Sequence, residues 1–356
     1  MKFSITKSIS SKINSVDWKN LGFGKYLSDH VFIADYSNGS WQNARIEPYA
    51  PMPIEPAMVT LHYAQTIFEG LKAFRNVNGG INIFRPDKNA ERMATSGKLI
   101  CIPEIPKEIF VEGCKELAKI DHAWVPKEQG HSLYLRPLIY GSDNFLGVHA
   151  SSSYRFIIMS SPVALYYSEG LNPVKIQVCT DRVRAVRGGL GSAKAGANYA
   201  ASLYAGTRAK KDGYAQVLWL DGVTHEIVDE VGAMNIFFVI NGKLITPTLD
   251  QETILAGVTR DSVIHIAKKM GWSLEERIIK MEEIVQAYKD GKLEEVFGTG
   301  TAAVISPVGQ LHYGDLKMVV NNNKIGKISQ KLYDTITGIQ YGSIEDSFGW
   351  NVKIDA

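Results

Sequence analysis

The segment Gly188–Ala201, GGLGSAKAGANYAA, holds one lysine, Lys194, among residues that are almost all Gly, Ala or Ser. Small neighbours let the backbone approach something flat and leave an ammonium poorly solvated. Desolvation lowers a lysine pKa, and an unprotonated amine attacks carbonyls. Most lysines are solvated surface groups, so Lys194 alone decides nothing. The glycines do not make a phosphate-binding P-loop, because no Gly-Lys-Ser/Thr follows a first glycine at the required spacing.

Three other stretches carry complementary chemistry. Glu230 in DEVGAMN is an acid set between a strand and a hairpin, although an isolated glutamate is usually a surface carboxylate. Ala256–Arg260, AGVTR, places a glycine before a helix whose first N–H groups and dipole favour a phosphate. Gly298–Ala302, GTGTA, reads as a turn able to present backbone N–H groups to an anion. With Asn198 and Tyr199 behind the lysine, the set holds an amine, an acid, a phenol and a phosphate cradle. Pyridoxal phosphate requires these groups: an amine to bond its carbonyl, and an acid to keep its ring nitrogen protonated so that the ring draws electrons.

The elements that position these groups can be read in outline. At 356 residues the chain exceeds what one core usually supports, so two domains are expected, and 45% apolar residues can fill both. A formal charge of +2, with acids and bases interspersed, offers no basic face for nucleic acid. The first 18 residues lack a signal-peptide core, and no apolar run approaches the ~20 residues of a membrane helix, so no membrane contact is expected. Cys101, Cys114 and Cys179 are odd in number and widely spaced, which predicts reduced core thiols in a cytoplasmic setting, with no disulfide framework and no metal site.

Val31–Glu69, with prolines at 48, 51, 53 and 56, predicts irregular segments between short strands. LKAFRNVNGGINIFRP reads as a hairpin turning at Asn78-Gly79-Gly80, with Arg85 at its exit and Asp87 as the cap of a helix to about Gly97. Pro106 opens a second helix with Ile109, Phe110, Leu117 and Ile120 on one face. Two strands follow, HSLYLRPLIYG and SYRFIIMSSPVALYY. The turn-rich loop 168–173 divides residues 1–167, a smaller α/β domain, from 174–356, a larger one. Beyond it come a helix over Tyr199–Lys211, the strand AQVLWLD, and the hairpin Ile236–Ile240 with Lys243–Thr246 about Asn241-Gly242. Helices Thr259–Met270 and Met281–Asp290, stopped by Gly271 and Gly291, lead to a strand at Leu293–Phe297 that runs into GTGTA.

KAGANY, EVGAMN, GVTR and GTGTA, in this order, resemble the fold-type IV pyridoxal-phosphate enzymes, specifically the branched-chain amino acid aminotransferases. FGKYLSDH, LHYAQTIFEGLKAF, IFRPDKNAERM and YLRP in the first half are similar to the same family, so the resemblance covers nearly the whole chain. It implies a mixed α/β, two-domain fold, pyridoxal 5'-phosphate as cofactor, and transfer of the amino group of leucine, isoleucine or valine to 2-oxoglutarate. By motif, Lys194 is implied as the Schiff-base lysine and proton carrier, Glu230 as the partner of the ring nitrogen, and Tyr199 as that of the ring hydroxyl oxygen. Arg85, the backbone at Val258 and Thr259, and Thr301 are implied as phosphate ligands. Tyr63 and the Thr301–Ala302 backbone are implied near the substrate α-carboxylate. Phe23, Tyr63 and Tyr166 are implied as pocket walls, Val148 in FLGVHA as a wall from a second subunit of a homodimer, and Tyr134 with Arg136 as the binders of the distal carboxylate of glutamate.

Two positions depart from relatives. Ala303 and Ser306 stand where some eukaryotic members carry a C-x-x-C pair, so redox control of that kind is not expected, and Ala233 replaces a hydroxyl residue in the acid motif. A D-amino acid aminotransferase or an aminodeoxychorismate lyase shares Lys194 and Glu230, but the first-half motifs and Arg136 argue against both. A non-catalytic pyridoxal-phosphate carrier would need a missing site residue, and none is missing.

Overall fold

The structure, a computed structural model, describes residues 3–164 and 171–355. Residues 168–170 of the expected interdomain loop lie outside the described residues. The chain divides into two units, one made of Met1–Tyr166, Ala193–Ala197 and Gly338–Ala356, the other of Tyr167–Ser192 and Asn198–Thr337.

The first unit is built on strands Ser4–Ile5 (β1), His30–Ser37 (β2), Ser40–Pro48 (β3), Thr66–Phe68 (β4), Leu71–Arg75 (β5), Ile81–Phe84 (β6), Ser132–Gly141 (β7) and Tyr154–Val163 (β8). Its helices are the short Val59–Tyr63 (α1), Pro86–Lys98 (α2) and Lys107–Ile120 (α3). The strands at 30–48 are long, 8 and 9 residues, in contrast to the irregular segments between short strands expected there, and their register shifts once, between Ile33 and Asp35; the prolines act only after Pro48, where β3 ends. The hairpin β5–β6 closes as its sequence requires, with Arg75 opposite Ile81 and the Asn76 N–H donating to the Gly80 carbonyl at 2.9 Å. On α3, Ile109, Phe110, Cys114 and Leu117 are buried at i, i+1, i+5 and i+8, the stripe that packs a helix on a sheet. Cys114 is therefore a core thiol, whereas Cys101 is exposed in a left-handed turn after α2, contrary to the expectation of three core thiols.

The second unit carries strands Val174–Val178 (β9), Gln216–Leu220 (β10), Val228–Val231 (β11), Asn235–Ile240 (β12), Lys243–Pro247 (β13), Leu274–Arg277 (β14), Leu293–Gly300 (β15), Val304–Tyr313 (β16) and Leu316–Val319 (β17). They lie in the order β11-β10-β9-β16-β15-β12-β13-β14, with β17 on β16. Helices Val258–Lys269 (α5) and Met281–Lys289 (α6) follow Gly196–Lys211 (α4), which starts three residues before its expected position. Asn241 (φ 51°) and Gly242 (φ 73°) both adopt the left-handed conformation that a two-residue turn between right-twisted strands demands. The core joins Ile176, Leu218, Phe238, Ile284 and Leu311.

Helix Lys327–Tyr341 (α7) leads back to the first unit, where Asn351–Ile354 (β18) pairs antiparallel with β6. The first sheet is thereby completed in the order β1-β3-β2-β8-β7-β5-β6-β18, with β4 also on β7. No helix among the described residues is long and apolar enough to cross a membrane.

One irregularity in the first sheet has a chemical cause. Strand β7 contains Pro137, which has no N–H to give to a ladder. Its neighbours on that side, β4 and β5, stop at Phe68 and resume at Leu71, leaving Glu69 and Gly70 in the gap, where the Glu69 N–H reaches across to the Pro137 carbonyl at 2.8 Å.

Candidate active site

Residues 193–197, although central in the sequence, fold with the first unit. The Phe68 N–H donates to the Lys194 carbonyl at 3.0 Å, Ala195 bridges to Ile67, and the Lys194 N–H donates to the Ser96 hydroxyl at 2.9 Å. Lys194 is half-buried rather than sealed, and its Nζ lies 4.9 Å from the centre of the Phe68 ring. The Arg136 guanidinium lies 4.7 Å from the centre of the same ring. Strand residues two apart share a face, so Arg136 also reaches Tyr134, with Nη2 donating to the phenol oxygen at 3.0 Å. Gly70, in the ladder gap, makes room for that phenol: a Cβ there would lie 2.0 Å from the Tyr134 oxygen. Phe23 packs edge-on against Tyr134 at 4.9 Å.

Phe68 thus gathers Lys194 and Arg136, Arg136 adds Tyr134, and Tyr134 adds Phe23. Tyr63 sits elsewhere in the unit, its hydroxyl donating to the Leu146 carbonyl beside the exposed Val148. Tyr166 lies outside the described residues. Arg85 caps α2 in a left-handed conformation (φ 50°, ψ 46°), so Asp87 is not the cap but an acid inside the first turn. A buried arginine held at positive φ costs ~1–3 kcal/mol and persists only where the surroundings dictate it; here the Arg85 N–H donates to the Trp350 carbonyl at 2.8 Å and its guanidinium lies 4.8 Å from the indole centre.

In the second unit the acid motif offers two buried carboxylates, and geometry separates them. Burial pushes the Asp229 carboxyl up to about 6 against a hydrogen bond from Thr253 and the nearby Arg184 cation. Glu230 forms an ion pair with Arg184 Nε at 3.0 Å and accepts hydrogen bonds from the Leu255 N–H at 2.9 Å and Asn235 Nδ2 at 3.2 Å. Arg184 Nη2 in turn donates to the carbonyls of Gly191, at 3.1 Å, and Thr253. Asn198 steadies the glycine-rich loop, its Nδ2 donating to the Leu190 carbonyl at 2.7 Å, and Tyr199 stands one residue further along α4. Gly257 is the N-cap of α5 and makes no side-chain cap hydrogen bond, and Val258 and Thr259 form the first turn. GTGTA is not one turn as expected: Gly298–Gly300 complete β15, and only Thr301 and Ala302 lie in the hairpin turn. The Thr299 hydroxyl is buried there with no hydrogen-bond partner among the described residues.

Four residues outside the expected set complete this picture: Phe68, Glu69, Ser96 and Arg184. Phe68 and Glu69 sit in the quoted IFEG motif, whereas nothing local marks Ser96 or Arg184. The chemistry within each unit is of a kind that pyridoxal phosphate uses: in the first an amine against an aromatic face, and in the second a carboxylate fixed by a guanidinium, a helix N-terminus with no side-chain cap hydrogen bond, and a buried hydroxyl in the GTGTA strand with no hydrogen-bond partner among the described residues.

The family model for class IV aminotransferases matches residues 66–311. Branched-chain-amino-acid aminotransferase 2 of Bacillus subtilis (strain 168) is 49% identical over 348 residues, covering 98% of this chain and 96% of that protein. The crystal structure of the Escherichia coli branched-chain amino acid aminotransferase superposes with a TM-score of 0.76 at 27% identity, over 91% of this chain and 98% of that one. That of the Thermobaculum terrenum branched-chain amino acid aminotransferase in its PLP-form gives 0.74 at 25% identity, over 91% and 98%.

Proposed function

The chain belongs to the class IV aminotransferases and, among them, to the branched-chain-amino-acid aminotransferases, and from that premise we propose what its side chains do. The enzyme uses pyridoxal 5'-phosphate and moves the amino group of L-leucine, L-isoleucine or L-valine to 2-oxoglutarate, giving the branched 2-oxo acid and L-glutamate. When bound, the cofactor supplies an electron-drawing ring that weakens the bonds at the amino carbon.

Lys194 presents its Nζ to that carbon and takes and returns the proton. Phe68 keeps water from one side of the amine and the Lys194 main chain keeps it in place. Glu230 holds the proton of the ring nitrogen, and Arg184 keeps the carboxylate charged and aimed. Tyr199 donates to the ring hydroxyl oxygen. Arg85 takes the phosphate through its guanidinium, and the Val258 and Thr259 N–H groups with Thr301 take it through hydrogen bonds. Tyr63 and the Thr301–Ala302 backbone orient the α-carboxylate.

The observation that carries the reading is the single ring of Phe68 shared by the amine and a guanidinium. Leucine and glutamate must take turns in one pocket, and a carboxylate placed on an apolar wall alone would be costly to desolvate. Phe23, Tyr63 and Tyr166 wall the apolar side, and Arg136 with Tyr134 receives the distal carboxylate of glutamate. Arg136 Nε is buried with no hydrogen-bond partner among the described residues, a donor in reserve for that carboxylate. A coupled assay for glutamate formed from 2-oxoglutarate and leucine tests the reaction itself. Replacing Arg136→Met is expected to lower the glutamate half-reaction about ten- to a hundredfold and leave leucine nearly unchanged, since one charge-assisted hydrogen bond is lost. Equal losses for both amino acids, measured in separate half-reactions, would place Arg136 in the fold instead.

A homodimer is part of the same proposal. Phe145, Leu146 and Val148 are 58%, 63% and 82% exposed in one loop, and apolar side chains grouped in this way mark an interface. Val148 is assigned to the pocket of the second subunit. Light scattering is expected to give twice the chain mass; a fully active monomer would contradict this.

A further inference from the structure

We propose that Ser96 is a positioning residue for Lys194, its hydroxyl fixing the amide of the reacting lysine to helix α2. The proposal rests on Lys194 being the reacting amine.

The main chain of Lys194 is held from two directions. On one, strand β4 takes its carbonyl through the Phe68 N–H, a backbone contact that many sequences could supply. On the other, the contact depends on one side chain, the Ser96 hydroxyl that accepts the Lys194 N–H at 2.9 Å. Serine is a poorer helix former than alanine, and its hydroxyl costs free energy to bury without a partner. Ser96 is nonetheless fully buried, on a helix whose other buried positions include Ala90, Met93 and Gly97. A small apolar residue would suit that surface and the helix better, and the Lys194 amide is the group that requires an oxygen.

The rest of α2 reinforces the arrangement. Asn89 Nδ2 donates to the wholly buried Glu69 carboxylate at 2.7 Å, and Arg92 grips it with Nε and Nη2, both at 2.7 Å. Burial pushes the Glu69 carboxyl up, but Arg92, the Lys194 ammonium and the Asn89 hydrogen bond outweigh it and hold the group below the usual range. Glu69 follows Phe68, so α2 secures both the strand that takes the Lys194 carbonyl and the hydroxyl that takes its N–H. Arg85 heads the same helix. One rigid element therefore references both the phosphate arginine and the lysine, and a small displacement of a reacting group can cost as much as ~10²-fold in rate.

The test compares Ser96→Ala with the parent. In the loaded enzyme, kcat for leucine with 2-oxoglutarate is expected to fall about tenfold with KM little changed. In the full chain, with and without pyridoxal phosphate, hydrogen exchange of the Lys194 amide is expected to quicken about tenfold while that of β7 stays put. Ser96→Thr, which keeps the hydroxyl, is expected to restore both. If the alanine variant does not fold, Ser96→Cys, with a weaker acceptor of similar size, is measured against the same outcomes. A parent-like kcat, or parent-like exchange at Lys194, would overturn the proposal. Lys194→Ala serves as the control. If it retains turnover, the assignment of the amine fails; if it is inactive while Ser96→Ala is parent-like, only the positioning role fails.

Discussion

Lys194→Ala is expected to lower turnover of leucine with 2-oxoglutarate by at least about 10⁴-fold, because it removes both the nucleophile and the proton carrier. The fold should survive. Residue 194 is tied by its N–H and carbonyl to Ser96 and Phe68, and alanine keeps both of these contacts. The expected signature is therefore a thermal transition close to that of the parent combined with loss of glutamate formation in a coupled assay. A folded variant with turnover near the parent's would move the chemistry to another amine, and the structure contains a candidate. Lys72 on β5 is buried, and burial pushes its ammonium down to about 8, enough for a nucleophilic fraction at neutral pH. Lys72 lies opposite Tyr134 in the ladder, within the body of the sheet. Lys194 instead sits outside the strands of that sheet, on a segment bridged to it at Ala195 and Ile67, with its amine beside the Phe68 ring.

Glu230→Gln carries the second large expectation, a loss of about 10²- to 10³-fold in kcat at saturating cofactor, since a neutral amide cannot hold the ring nitrogen protonated. Its cost to stability is separable. Arg184 and Glu230 form a buried pair, and removing one partner of such a pair costs roughly 3–5 kcal/mol. The variant should therefore melt lower than the parent. Arg184→Met combined with Glu230→Gln should recover part of that stability without recovering kcat, because the double variant no longer buries a lone guanidinium. Melting curves and kcat for the two variants decide between the roles. A lowered melting temperature with unchanged kcat in the folded fraction would mean that Glu230 serves only to neutralise Arg184.

Features governed by local rules were legible in the sequence. Asn241-Gly242 announces its hairpin because few residue pairs tolerate two left-handed conformations. The α3 stripe and the stops at Gly271 and Gly291 follow from helix period and C-terminal geometry. Pairings between distant segments were not legible. Ile354 lies opposite Ile81 across most of the chain, and residues 193–197 join the first unit through Ile67 and Ser96, neither of which signals a partner in sequence. The left-handed Arg85 was hidden for the opposite reason: propensity argues against it, and the Trp350 contacts impose it. GTGTA was misread as a turn because glycine and threonine suit both a turn and a strand, and the ladder with Ile305 and Ser306 settles the matter. In the site, the amine and the acid stood out by motif. Arg184 and Ser96, which hold them, act through long-range contacts that residue type alone does not reveal.

The central claim, that Lys194 is the amine bonded to pyridoxal phosphate, is tested most directly by borohydride reduction of the loaded enzyme followed by peptide mapping. The adduct is expected on the peptide holding Lys194 and to be absent after Lys194→Ala. An adduct on Lys72, or on any other lysine, would contradict the account.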